Sequence, residues 1–570
     1  MPDRLKRGLS AVAAAVALAG TGCAAIPTGG TVHLGRALPG PGGLDDLDVR
    51  VLPPLWHAGM SPEDVVTGFL RALVNDDEDY VIARSYLTGA ASLHWDPSSG
   101  VTTYDDATAQ PSETGSGATR VIRLQAPRIG HVDARGDYEP VPGALDASFT
   151  VTRAGGSWRI DKLSDGVLLS ESDAQRTFRA AAVYYLNHSG KTLVPEQILL
   201  QSAQKGVATA LVTALLAGPS NWLAPAVRTA APPRTTLIGN VPVHDNGVAD
   251  VNLSASIRLA SQSDLAAFSA QVVWTLRQVL DVTSVRLLAE GAPLQVPGVP
   301  TRQPMNAWDR FDPSAPSSSH DVLFVHNGHL AATGGDAAAL ARSDPGHVLY
   351  VGRSRDGDTL AVVQQRGSRV RLLTGRFGHA LTPRVTAATM TAPTFDVSGD
   401  VITVVTSRAG RSVVAVTPSG DARRLSVDSV LTRQPVTALR LSRDGSRVAA
   451  VVGSGRLLIG RVTTLAGMPS LTAFRAITPT LRAVSGVTWA GADDVAVTAA
   501  ASDGQRQVVE TDSDGYTVRQ IAPDRLRGAP IDVTAAPGLP IVVVSDLGSI
   551  WTEVEGWRLV GSGTAAVHSG

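Results

Sequence analysis

The sequence predicts a multidomain fold: an α+β N-terminal domain, a second α+β domain and an all-β C-terminal propeller. Three observations carry this. The chain has 570 residues, too many for one hydrophobic core. Helical periodicity is confined to the region before residue 296. From about residue 320 no helix signal survives, and apolar strands begin at Leu360, Val401, Val448, Val495 and Ile541, spaced 41, 47, 47 and 46 residues apart. Four short strands per repeat of that length is the period of a propeller blade.

The bulk composition narrows the function classes. Apolar residues make up 44% and charged residues 18%, with a formal net charge of −1. That balance is globular and lacks the excess of positive charge that nucleic acid binding requires. Only four of the 50 basic residues are lysines (Lys6, Lys162, Lys191, Lys205), the imprint of a GC-rich bacterial genome.

Residues 1–22 read as an export signal. Arg4, Lys6 and Arg7 precede an apolar run from Leu9 to Ala19, which as a helix measures about 16 Å, half the hydrocarbon thickness. Gly20, Thr21 and Gly22 lead into Cys23, the one cysteine of the chain. A single cysteine forms neither an internal disulfide nor a thiolate zinc site. The order resembles a bacterial lipobox, in which the cysteine takes diacylglycerol on sulfur and a palmitoyl chain on its freed amino group. The position three residues before Cys23 is Gly20, where lipoboxes usually carry leucine. Plain secretion after Ala17-Leu18-Ala19 and an uncleaved anchor are the competing readings. Two acyl chains hold a protein at a membrane far better than one, and no other stretch reaches a spanning length of apolar residues. Residues 23–60, rich in Gly and Pro, read as an extended tether.

The first domain, 61–175, opens at Ser61-Pro62-Glu63-Asp64, with Ser at the N-cap, Pro in the first turn and an acid three residues after the cap. Val65, Val66, Phe69, Leu70 and Leu73 then share one helical face. A second short helix is expected over 80–87. Strands follow at 121–132, 145–154 and 157–163, suggesting a curved sheet, a cone with an internal pocket, while 106–119 reads as a polar surface loop.

The second domain, 180–296, begins with the strand "AAVYYLN". A helix over 207–216 is broken by Gly218-Pro219, and a hairpin turns at Asn246-Gly247. A helix over 264–280 places Leu265, Phe268, Val272, Leu276 and Val279 on one stripe. The strand 282–291 completes a βαβ-type unit. A Pro/Ser-rich linker, 297–320, leads into the propeller, 321–570. Five repeat copies plus a composite of 322–333 with the C-terminal "GTAAVHSG" make six blades; five is the alternative.

Chemistry-bearing motifs are sparse. Gly190-Lys191-Thr192 lacks the first glycine of a phosphate loop, having Tyr185 there, and opens no helix. Asp512-Ser513-Asp514-Gly515 is half a calcium loop, explained more simply as a hairpin turn. The "RDG" triplets read as turns between strands. His94, Trp95 and Trp222 read as core or rim packing rather than ligand contacts, and the 264–280 helix as core rather than a partner face. No catalytic set, cofactor or metal is expected.

The stretches "ARSYLT", "SWRID", "YYLNHSGKTLVPEQ", "ALLAGPSNWLAPAVRTA", "GVADVNLS" and "QVVWTLRQVLDVTSVRLL" together resemble the actinobacterial lipoprotein LpqB family. Within it, 180–296 resembles the GerMN module of spore-germination and envelope proteins. "TAAPPRT" (229–235) is less regular than the family's usual run. The resemblance implies a lipid-anchored accessory on the extracytoplasmic face of the cell membrane. It also implies a partner, the sensor histidine kinase MtrB of the MtrA–MtrB system, and a role in envelope homeostasis and division. The alternative is a cell-wall glycan-binding module or a propeller enzyme acting on the envelope.

Overall fold

Ser61 starts the first helix, α1 (Pro62–Ala72), with a capping box: its hydroxyl accepts from the Asp64 N–H at 3.1 Å while the Asp64 carboxylate accepts from the Ser61 N–H. The computed structural model describes residues 54–74, 78–202, 204–315, 321–465, 467–478, 481–501, 503–521, 526–554 and 556–568. The export signal, Cys23 and the tether as far as residue 53 lie outside them.

In the first domain α1 lies on a sheet of order β5-β4-β3-β1-β6, formed by β1 (Val101–Tyr104), β2 (Gln110–Thr114), β3 (Thr119–Val132), β4 (Tyr138–Ala154), β5 (Ser157–Lys162) and β6 (Val167–Ser170). β2 pairs with β3 as a fully exposed edge strand, where the polar composition of 106–119 predicts a loop. The expected internal pocket is filled: Val65, Val66, Phe69 and Leu73 of α1 pack with Ile122, Phe149, Val151 and Ile160. The expected helix over 80–87 shortens to a single turn, Val81–Arg84. The end of the tether is strapped down, since Tyr86 Oη donates to Pro54 O at 2.7 Å and Trp56 Nε1 to Trp158 O at 3.1 Å.

The second domain is built from β7 (Phe178–Asn187) and β8 (Leu193–Gln201), α2 (Val207–Ala217), the short β9 (Val227–Arg228), and the unit β10 (Val248–Leu253), α3 (Gln262–Leu276), β11 (Ser284–Ala289). β10 and β11 are parallel, as the βαβ reading expects. α3 is not one-striped. Every residue from Leu265 to Leu276 is buried, because α2, β7 and β11 enclose the helix. Its buried polar side chains have a specific task. β7 pairs with β9 only at its last two residues, and α3 hydrogen-bonds the rest of that edge. Gln271 Nε2 donates to Tyr184 O (2.8 Å), Thr275 Oγ1 accepts from the Tyr184 N–H (3.2 Å), and just past the helix Gln278 both accepts from and donates to the Ala182 peptide. An open strand edge is thereby closed by side chains.

The segment 297–320, expected as a free linker, is largely part of this domain. Arg302–Pro304 pairs antiparallel with β11, and Trp308 and Phe311 are buried in its core. Prolines there space the chain along the surface while two aromatic anchors hold it. Residues 316–320 lie outside the described ones.

The C-terminal region is a closed ring of six sheets. Five are continuous in sequence, spanning residues 348–387, 389–424, 426–476, 482–520 and 530–562 (blades 2 to 6). The repeat strands detected at Leu360, Val401, Val448, Val495 and Ile541 are the second strand of each. Blade 1 is composite: the hairpin of Leu323–His326 and His329–Ala332 takes Thr564–Val567 from the chain's end, in the register Leu323↔Val567. The innermost strands Val348–Arg353, Thr394–Phe395, Val436–Leu441, Arg482–Trp489, Pro530–Thr534 and Thr564–Val567 touch in succession around the axis, and the last touches the first. Short helices at Ala337–Ser343 and Ser429–Arg433 interrupt what reads as an all-β region; the first is capped by Asp336.

Candidate functional site

The residues singled out from the sequence fall into two groups once placed. Trp95 is core: it is 4% exposed, donates Nε1 to Gly166 O at 3.0 Å and meets the Phe69 ring edge-on at 5.5 Å. His94 is exposed and bonds only to its own helix, through Ala90 O. The others gather where the three modules meet.

Trp222, from the loop after α2, donates Nε1 to Ala473 O of blade 4 at 2.9 Å, and the Arg475 guanidinium lies 4.2 Å above its ring. Arg461 of the same blade donates to Trp222 O at 2.7 Å. The turn carrying Gly190-Lys191-Thr192 joins β7 to β8. Asn187 folds it by accepting from the Lys191 and Thr192 N–H groups, and its Nδ2 donates to Asp444 O of blade 4 at 2.9 Å. Asp512-Ser513-Asp514-Gly515 is the expected hairpin turn, with Asp512 Oδ1 accepting from the Gly515 N–H at 2.8 Å. Just beyond it, Tyr516 donates to Ala174 O of the first domain at 2.9 Å and stacks edge-on with Tyr138 at 5.2 Å. These motifs are docking turns. Among the described residues, no group of three or more His, Cys, Asp or Glu side chains is placed to hold a metal ion.

The first two domains join through the turn between β3 and β4. Leu199 of β8 donates its N–H to Gly136 O at 2.8 Å, and Arg135 donates to Gly218 O at 2.7 Å. Gly136 sits at φ +86°, and a Cβ there would lie 2.5 Å from Leu199 O, so only glycine allows this approach.

At the centre of the junction is Arg447, 2% exposed, a residue no sequence pattern marked. It occupies the start of the second strand of blade 4, where the repeat places an apolar residue one position later. Its guanidinium donates to Pro195 O of β8 and lies 3.3 Å from Asp493 and 3.9 Å from Asp444, both buried. Beside it lies a polar cavity of about 280 Å³ bounded by all three modules: His131 and Asp137 from the first, Glu196 and Trp222 from the second, Arg475 and Asp514 from the propeller. Burial raises the carboxyls of Glu196, Asp137 and Asp514 above their ordinary range, and Asp512 raises Asp514 further. Burial equally lowers Arg475. A larger, mainly apolar crevice of about 650 Å³ runs between the first two domains, lined by Val101, Val132, Phe178, Tyr185, Ile198 and Ala214 among others.

Glu196 supplies a pH test of this junction. A carboxyl raised by burial binds its proton more tightly folded than unfolded, so stability falls as pH rises from the unfolded value through the folded one. Glu196→Gln keeps an acceptor for the Ser220 N–H, which now bonds the carboxylate at 3.0 Å. The substitution is expected to raise stability by on the order of 1 kcal/mol at pH 8, with no gain at pH 4, in thermal melts at the two pH values.

Comparison with known proteins follows the same division. A family model described as the lipoprotein LpqB N-terminal domain matches residues 56–175. One described as sporulation and spore germination (Germane) matches 182–295, and one described as the lipoprotein LpqB beta-propeller domain matches 334–567. The chain is similar to proteins named lipoprotein LpqB. It is 31% identical to that of Thermobifida fusca, covering 100% of this chain and 99% of that one, and 27% identical to that of Streptomyces avermitilis, covering 96% of each. Among solved structures, TolB from Acinetobacter baumannii is similar at 12% identity, covering 70% of this chain and 90% of that one with a TM-score of 0.34. The first GerMN domain of the sporulation protein GerM from Bacillus subtilis is similar at 24% identity, covering 22% of this chain and 92% of that one with a TM-score of 0.19.

Proposed function

Because the chain belongs to the lipoprotein LpqB family, we propose that it is an extracytoplasmic accessory, tethered to the cell membrane through acylated Cys23. In this reading it binds the sensor region of the histidine kinase MtrB and so biases the MtrA–MtrB system that governs envelope homeostasis and division. The observation that supports this reading is the way the three modules are joined. Turns that motif searches would flag as nucleotide or calcium loops are spent on interdomain hydrogen bonds, and Arg447 is buried at the joint. Rigid joints suit a protein that presents a fixed surface to a receptor. A partner that bound both kinase states equally would shift nothing, so the accessory must prefer one of them. No helix among the described residues is long and apolar enough to cross a membrane; in this reading the tether rests on Cys23.

The test follows from that dependence. Cys23→Ala is expected to move most of the protein from the membrane fraction to the culture fluid and to change phosphorylation of MtrA in cells. The purified protein is expected to show saturable binding to the MtrB sensor region. Retention of Cys23→Ala in the membrane fraction, or turnover of peptidoglycan fragments without kinase binding, would sink the proposal.

A further inference from the structure

The propeller axis ends, on the face that carries the second domain, in a small chamber of about 50 Å³. Five blades each supply one polar side chain to it, His568, Arg353, Thr394, Thr488 and Thr534, and blade 4 supplies Arg443 together with Arg440, whose guanidinium donates to Leu439 O at 3.0 Å and has the Asp532 charge near it. The volume is several times what one water requires.

Most of these groups are already committed. Thr394 Oγ1 accepts from the Leu441 N–H, Thr488 Oγ1 from the Ala535 N–H and Thr534 Oγ1 from the His568 N–H. Each of these bonds ties one blade to the next. Arg353 donates Nε to Gly357 O at 2.9 Å. Two groups remain. Arg443 is 8% exposed, and Nε, Nη1 and Nη2 are all buried without a hydrogen-bond partner. Asp312 attracts it from the segment entering the propeller, but Asp312 Oδ1 accepts from the Ser314 N–H instead, and Arg355 adds a like charge. His568 donates Nε2 to Pro540 O at 3.1 Å, which leaves Nδ1 as a buried acceptor with no donor. Burial, with Arg443 nearby, pushes this imidazole down to about 4, so it is neutral at physiological pH.

A buried guanidinium with none of its donors hydrogen-bonded is costly, and a buried acceptor without a donor adds to the cost. Together they describe the missing partner, which must accept from Arg443 and donate to His568. We propose that the axial chamber binds a small oxyanion that keeps a proton at neutral pH, hydrogen phosphate, its charged oxygens on Arg443 and its hydroxyl on His568 Nδ1. Sulfate carries the charge without the proton and meets half of the requirement. Chloride likewise cannot donate.

The test uses the full-length protein in detergent at pH 7.4 and constant ionic strength, with potassium phosphate, sulfate or chloride, followed by thermal unfolding and titration calorimetry. Phosphate is expected to raise the melting temperature saturably, as a ligand of the folded state must, with an apparent Kd at least tenfold below that of sulfate. Arg443→Met abolishes the phosphate effect and melts higher than the wild type in phosphate-free buffer, because the unpaired cation is gone. His568→Phe keeps weaker binding and loses the preference for phosphate over sulfate. Equal shifts with all three salts, or a phosphate effect that survives in Arg443→Met, would overturn the proposal. Should Arg443→Met not fold, the three-salt comparison on the wild type decides alone.

Discussion

Arg447→Ala is expected to destabilise the protein by about 3–5 kcal/mol at neutral pH, the cost of stranding buried charges by removing one partner. The guanidinium faces Asp493 and Asp444, which are 6% and 1% exposed, and caps the Pro195 carbonyl of the second domain. Without it, two buried carboxylates lose the cation they face. Burial already holds the Asp444 carboxyl above its usual range, opposed by the Arg447 charge. Removing that charge lets it rise further. The sign follows: a raised carboxyl stabilises the fold below the unfolded value and loses that contribution as pH climbs through the folded value. The deficit of Arg447→Ala is therefore smaller at pH 5 than at pH 8. Denaturant melts at both pH values measure this, and cleavage near residue 195 by a limiting protease reports the loosened joint. An equal deficit at the two pH values would remove the electrostatic explanation.

The second large effect lies where composition suggests nothing structural. Trp308→Ala is expected to cost about 3–5 kcal/mol, the range for truncating a buried aromatic. The ring is fully buried, and its Nε1 donates to Gln303 Oε1 at 2.8 Å. Its carbonyl accepts from Trp274 Nε1 of α3 at 3.1 Å. Gln303 Oε1 also accepts from Ser269 of α3, so the segment after β11 is keyed to the central helix at two points. Amide hydrogen exchange over 265–276 reads the loss directly, since it isolates this domain from the propeller. Trp308→Phe, which keeps the ring packing and drops the indole bond, is expected to lose about 1–2 kcal/mol.

These two residues mark where sequence reading stops. The capping box at Ser61, the βαβ pairing of β10 with β11 and the blade period were all legible, because each follows from local chemistry or from a repeat. The composite blade was legible as well, since its halves are strands too short to stand alone at opposite ends of the repeat. Trp308 was hidden because a proline-rich segment reads as linker whether or not an aromatic anchors it. The 264–280 helix read as one apolar stripe on a sheet, although its polar side chains serve the open edge of β7, a requirement that appears only in three dimensions. Arg447 was hidden for a related reason. It opens a strand directly after a repeat turn shared with other blades, and only the docking of β8 there makes it special. Cys23 stood out in the sequence and lies outside the described residues.

The ring has a consequence for how the chain is made. Thr564–Val567 is both the last strand and the innermost strand of blade 1, paired with Leu323 and Val325 some 240 residues upstream. Domains fold roughly in order of synthesis, amino end first, yet this one has no complete circumference until Thr564–Val567 is free to pair. Until then the Leu323–His326 edge stays unpaired, and a nascent or truncated chain ending before residue 564 presents that raw strand edge to whatever lies nearby. Closure of the ring therefore falls on Thr564–Val567. Truncation just before residue 564 is expected to be as damaging as truncation in the middle of the propeller.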